Sequence, residues 1–223
     1  PKRTLALFAG RYDPELISDV LRINASQEES AQFAQIRKYG KAILLGLDLV
    51  TDILPHFKEN IGIYVVPRAT SQKNVIPFDV LVALEFGNTS PQFRTRLENG
   101  LANGMTFLTT LYNFKVASNE PAATVKSVKR QGTVIRWIDQ IKNYRPAVAL
   151  TKNYFVIASS PDLIDEFISP KKQHRLVNNS EVQKWKRDFF PDTNQLIFLN
   201  IQGLRNHLIS IKPTVIRLLS KTS

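Results

Sequence analysis

Phe78-Asp-Val-Leu-Val-Ala-Leu-Glu-Phe-Gly87, followed at once by Asn-Thr-Ser-Pro91, is the stretch on which the fold turns. Under the period-two alternation of a strand, Phe78, Val80, Val82, Leu84 and Phe86 share a wholly apolar face, which is expected to be core. The other face carries Asp79 and Glu85 at its ends with Leu81 and Ala83 between them, the pattern of a half-covered side. Ser90 then caps a helix and Pro91 suits its first position. Phe93, Leu97, Leu101, Met105, Leu108 and Tyr112 recur along it at three- and four-residue spacing. Gly100 and Gly104 lie four apart on this helix. Close approach to a sheet accounts for them, because Arg94, Arg96, Glu98 and Asn103 do not suit a membrane-embedded dimer.

Downstream, Thr124 to Val128, Thr133 to Ile138, Ala147 to Leu150 and Tyr154 to Ala158 are short and β-favouring, separated by turn-forming residues. They read as an antiparallel meander. Lys152-Asn153 suits a two-residue hairpin turn, since Asn tolerates positive φ. Ser160 and Pro161 repeat the cap-plus-proline device before Leu163, Ile164, Phe167 and Ile168. Upstream, Ser26 to Tyr39 opens with capping-box spacing, Leu47 to Phe57 reads as a helical stretch, and Ile61 to Val66 reads as a strand.

Three starts resemble one another: Leu5 to Gly10, Leu81 to Gly87 and Leu196 to Gly203 each read as a strand ending in glycine and followed by a helical pattern. In the first, Asp13 and Pro14 begin the helix. The expectation is an α+β fold, an antiparallel sheet meander with helices packed on it, built from weakly repeated β-α-β units. Residues 1–68 form the first unit, 75–169 the second with the long helix and meander, and 180–223 the start of a truncated third, all compatible with one domain. Residues 69–74 suit a hinge and 169–179 an exposed loop.

At 223 residues with 43% hydrophobic and 22% charged content, the chain is globular rather than disordered. No run approaches the roughly 18 apolar residues needed to cross a bilayer. The absence of cysteine excludes disulfide scaffolds, thiol nucleophiles and cysteine-ligated zinc. A chain that opens on Pro1 and ends in an apolar periodic stretch reads as a mature or excised segment. Its net charge of +11 favours acidic partners such as nucleic acid, anionic headgroups or acidic glycan. The densest basic runs are Lys126, Lys129, Arg130 and Arg136; Lys171, Lys172 and Arg175; and Lys184, Lys186 and Arg187. Such runs are usually solvated faces, and the first two are the candidates for an anion-binding surface.

Asp48, Asp52 and His56 fall at i, i+4 and i+8, so an uninterrupted helix would align two carboxylates and an imidazole for metal-dependent or hydrolytic chemistry. Pro55 interrupts that helix, and Leu47, Val50, Ile53, Leu54 and Phe57 already supply its buried side, which leaves the acids on a solvated face. His174 and His207 read as surface residues, and Trp137 and Trp185 as packing residues. No phosphate-binding loop appears, because Gly40-Lys41 lacks the upstream glycine and the following Ser or Thr. Ser159-Ser160 lacks the glycines of a nucleophile elbow. The residues therefore imply no cofactor and no metal.

Leu47-Asp-Leu-Val-Thr-Asp-Ile-Leu-Pro-His-Phe57, Asn60-Ile-Gly-Ile-Tyr-Val-Val-Pro67, and above all Arg145-Pro-Ala-Val-Ala-Leu-Thr-Lys-Asn-Tyr-Phe-Val-Ile-Ala-Ser-Ser-Pro-Asp-Leu-Ile164 resemble a family of exported bacterial proteins of unknown function. The resemblance is strongest from about Phe78 to Ile168. Its motif consists of strand, turn and cap residues, so it transfers no catalytic or binding position. It implies an exported or periplasmic location. The expected function is a non-enzymatic envelope or periplasmic module that binds or scaffolds an unknown ligand, with a polyanion or a protein of the envelope as its partner; the alternatives are a basic anion-binding protein for nucleic acid or acidic glycan, and a hydrolase or metal-dependent enzyme using Asp48, Asp52 and His56.

Overall fold

The computed structural model describes residues 4–14, 27–68, 77–116, 121–140, 144–169, 184 and 195–219. Within them the chain is an α+β fold with a single eight-stranded sheet, antiparallel at every pairing. Its strands are β1 Ala6–Arg11, β2 Phe57–Pro67, β3 Phe78–Phe86, β4 Thr124–Arg130, β5 Thr133–Asp139, β6 Ala147–Leu150, β7 Tyr154–Ala158 and β8 Leu196–Leu199. They lie in the order β4-β5-β6-β7-β3-β2-β1-β8. The helices are α1 Gln27–Ile43, α2 Pro91–Lys115, α3 Pro161–Ile168 and α4 Ile201–Leu219. The sequence units thus share one sheet: β3 pairs with β2, and β8 pairs with β1.

The meander runs as expected from β4 to β7, and its last strand returns beside β3. Gln131 and Gly132 join β4 to β5 with φ of 45° and 80°, the paired left-handed residues of a tight hairpin turn. The β6–β7 turn falls where expected but closes differently, since Asn153 takes no positive φ. Instead the Thr151 hydroxyl accepts from the Tyr154 amide at 2.9 Å while the Thr151 amide donates to the Tyr154 carbonyl at 2.8 Å.

Because antiparallel register fixes which side chains share a face, the sheet divides cleanly. On one side Leu81, Ala83, Val66, Val156, Ala158, Ala147, Ala149 and Ile135 form a cluster sealed by Leu163 and Ile164 of α3. The other side meets α2, where Phe86 and Leu150 pack with Leu97, and Ile138 packs with Met105. This overturns the expected face of β3. Leu81, Ala83 and Asp79 are buried, whereas on the expected face only Phe86 is buried, Val80 is 38% exposed and Phe78, Val82 and Leu84 are half-buried. Small residues decide the matter: the alanines of β3, β6 and β7 let α3 sit close, so its two deepest side chains are wholly removed from water, at about 1.5–3 kcal/mol each.

Helix α2 departs from its expected stripe as well. The departure is confined to one residue: Leu97 and Met105 are buried and Phe93, Leu101 and Tyr112 pack half-buried beside them as expected, whereas Leu108 is exposed and Gly100 and Thr109 are buried in addition. The glycines serve α1 rather than a sheet. A β-carbon on Gly100 would lie 2.9 Å from the Leu44 carbonyl oxygen, and one on Gly104 would lie 3.4 Å from an Ile43 methyl. Asn103 Nδ2 donates to the Ile43 carbonyl at 2.6 Å across the same approach.

The glycines that mark the three repeated starts play different parts. Gly10 is inside β1, Gly87 follows β3, and Gly203 lies in the first turn of α4. There the Gly203 amide donates to Asn200 Oδ1 at 2.8 Å. The helix expected after Asp13, the capping residue Ser26, the 69–74 hinge, the body of the 169–179 loop, His174 and Trp185 lie outside the described residues.

Candidate functional site

The segment holding Asp48, Asp52 and His56 is not one helix. Leu49–Ile53 forms a wide π turn and Leu54–His56 a tighter 3-10 turn with Pro55 inside it, so the i, i+4, i+8 alignment is lost. Asp48 caps the first turn: its Oδ1 accepts from the Val50 amide at 2.9 Å and the Thr51 amide at 3.1 Å. Its other oxygen accepts from Arg37 Nε at 2.6 Å. Asp48 is buried, contrary to the solvated face expected of it. Burial pushes its pKa up, but the Arg37 guanidinium and the two amides prevail and hold it below the ordinary carboxylate value.

Asp52 turns back on the same loop, accepting from the Asp48 amide at 2.9 Å, and that bond lowers its pKa against a smaller opposing effect of burial. His56 goes elsewhere. Its ring lies 4.4 Å from Phe93 and 5.8 Å from Phe86, and its carbonyl accepts from the Gly87 amide at 2.7 Å. The two acids stabilise a loop and the imidazole packs in an aromatic cluster. Among the described residues no group of three or more His, Asp or Glu side chains is placed to hold a metal ion.

The basic candidates separate for a reason intrinsic to strands. Lys126, opposite Trp137, and Arg130, opposite Thr133, point to the α3 side of the sheet. Lys129 and Arg136 point to the α2 side. Lys126 pairs with Asp139 at 2.5 Å, and its hydrogen bond pulls that carboxyl below its usual pKa. Arg130 meets Asp165 at 3.8 Å. Alternation thus divides four cations that look contiguous in sequence. Lys171, Lys172, Arg175, Lys186 and Arg187 lie outside the described residues.

A more desolvated ionic cluster escaped the sequence. Asp79 Oδ1 accepts from Arg68 Nε at 2.9 Å, Arg68 Nη2 at 2.5 Å and Ser159 Oγ at 2.6 Å. The Arg68 guanidinium lies 4.6 Å over the Tyr144 ring. Ser159 also accepts from the Val80 amide at 3.1 Å. The cluster ties the end of β2 to the start of β3 and to the β7–α3 junction. Its serine donates to the carboxylate, so the arrangement clamps three elements. Arg68 and Asp79 stand 11 residues apart, a separation with no local signature. His207, expected at the surface, is half-buried, with Nε2 2.8 Å from the Pro77 carbonyl and its ring 5.2 Å from Phe78.

No protein-family model, no curated protein and no solved structure matches the chain. The chemistry therefore rests on this geometry. Apolar surface is what remains unassigned: Phe107, Leu108, Leu111 and Phe114 form a second stripe on α2, and all four are exposed, Phe114 to 84%. No helix among the described residues is long and apolar enough to cross a membrane.

Proposed function

We propose that the chain is a non-enzymatic binding or scaffolding module of the bacterial envelope or periplasm, and that its docking surface is the second apolar stripe of α2. One observation carries this: α2 bears two apolar faces, and the sheet and α1 use only one of them. Phe107, Leu108, Leu111 and Phe114 stand at i, i+1, i+4 and i+7, the spacing with which a helix meets another helix. The occupant is a partner protein's amphipathic helix. The structural engagement of Asp48, Asp52 and His56 supports a non-catalytic role. Export is supported by the resemblance of the Arg145 to Ile164 hairpin. The division of the β4 and β5 cations between two faces weighs against a polyanion site there.

A photo-crosslinking residue at position 114 of the full gene product, expressed in its own host, is expected to give one discrete protein adduct in the envelope fraction. Leu111→Glu is expected to abolish it. Steep salt-dependent retention on an immobilised polyanion, with no such adduct, would replace this reading with anion binding.

A further inference from the structure

The two edges of the sheet are built unlike each other. β4, at one end, has the sequence Thr-Val-Lys-Ser-Val-Lys-Arg, with cations facing both ways, the device by which edge strands repel further pairing. β8, at the other, is Leu-Ile-Phe-Leu and has no charge at all. Ile197 is 76% exposed and Leu199 53% exposed. The Asn200 amide donates to the Leu5 carbonyl at 2.8 Å, so by antiparallel alternation Phe198 and Leu196 bond toward β1 while Ile197 and Leu199 aim their amides and carbonyls outward. Beyond β8 no strand pairs among the described residues. α4 leaves this edge, since His207 already reaches Pro77 at the start of β3.

We infer that β8 pairs with β8 of a second copy of this chain, joining two sheets across a twofold axis. Charge selects this pairing. Joining β4 to β4 crowds Lys126, Lys129 and Arg130 of both copies along one seam, and joining β4 to β8 sets hydrated cations against Leu and Ile while leaving an open-ended polymer. The β8–β8 contact is self-complementary and closes. The proposed register uses both outward residues of each β8: Ile197 faces the second copy's Leu199 in both directions, giving two hydrogen-bonded pairs, with Phe198 opposite Phe198 on the axis. A non-hydrogen-bonded antiparallel pair sets its Cα atoms about 4.5 Å apart, within disulfide reach.

The chain has no cysteine, so Phe198→Cys places one thiol per copy at that axis. The full 223-residue chain is expected to sediment with increasing mass toward twice the monomer over a hundredfold rise in concentration. Oxidised Phe198→Cys is expected to become a covalent dimer, and Ser127→Cys on the opposite edge is not. Ile197→Lys changes an exposed side chain, so its far-UV circular dichroism should match the parent while its dimer dissociates at least tenfold more readily. Phe114→Lys should leave the dimer intact, which separates this contact from the proposed partner surface on α2. A monomer throughout the concentration range, a ladder of higher oligomers, or an Ile197→Lys variant that dimerises like the parent would overturn the inference.

Discussion

At Leu45 the backbone takes a φ of 55°, a left-handed conformation that costs a residue with a β-carbon about 1–2 kcal/mol. It occupies the left-handed position just past α1, where the Gly46 amide donates to the Lys41 carbonyl at 2.7 Å and the Leu45 amide to the Ala42 carbonyl at 3.2 Å. Leu45 is largely exposed, so little packing is lost on shortening it. Leu45→Gly is expected to raise the unfolding free energy by about 1 kcal/mol in urea titration. The α2 glycines predict opposite results from one another. Gly100→Ala drives a methyl against the Leu44 backbone and should cost about 1–3 kcal/mol. Gly104→Ala meets only a side-chain methyl and gains helix propensity, which places it within about 1 kcal/mol of the parent. Asp48 carries the acid sensitivity. Its lowered pKa means the folded chain binds fewer protons than the unfolded one just below pH about 4. Its contribution is therefore whole above that pH and is lost as pH falls through the folded value. Asp52 and Asp139 act in the same direction. Asp48→Asn should lower stability near neutrality and flatten the acid limb, as measured by urea midpoints at pH about 3 and about 7.

Among elements, the α2–β4 connection offers a direct test. Asn113 Nδ2 donates to the Ala123 carbonyl at 3.0 Å, and its Oδ1 accepts from the Ala123 amide at 2.8 Å. One side chain thus completes both backbone bonds of a buried residue at the mouth of β4. Asn113→Leu leaves both groups unpaired and should cost about 1–3 kcal/mol, with faster amide exchange at Ala123. The strands of the meander were legible because alternation and turn residues are local signals, and β6 and β7 fall on the residues expected. The buried side of β3 was not, because both its faces are apolar in the middle and only volume separates them. Four alanines, Ala83, Ala147, Ala149 and Ala158, share one register row pattern, and that smallness was the available sign of a helix lying close. Asp48 and Asp52 were singled out by spacing, yet spacing knows nothing of Arg37, which reaches Asp48 from α1, or of Pro55, which swings His56 into an aromatic cluster.

For the molecule as a whole, protection should decline from the middle of the sheet outward. β3 is covered on one side by α3 and lies between β2 and β7, so its amides should exchange slowest. β4, the charged edge that stays unpaired when two sheets join at β8, should exchange first among the strands, and hydrogen exchange read by mass spectrometry checks the order. The partnership of Phe8 with Ile197 spans nearly the entire chain. During synthesis at about 5–20 residues per second, β1 therefore waits roughly ten to forty seconds for its outer neighbour to leave the ribosome. Throughout that interval the newborn polypeptide presents a bare hydrogen-bonding flank, the kind of surface open to non-native pairing until β8 arrives.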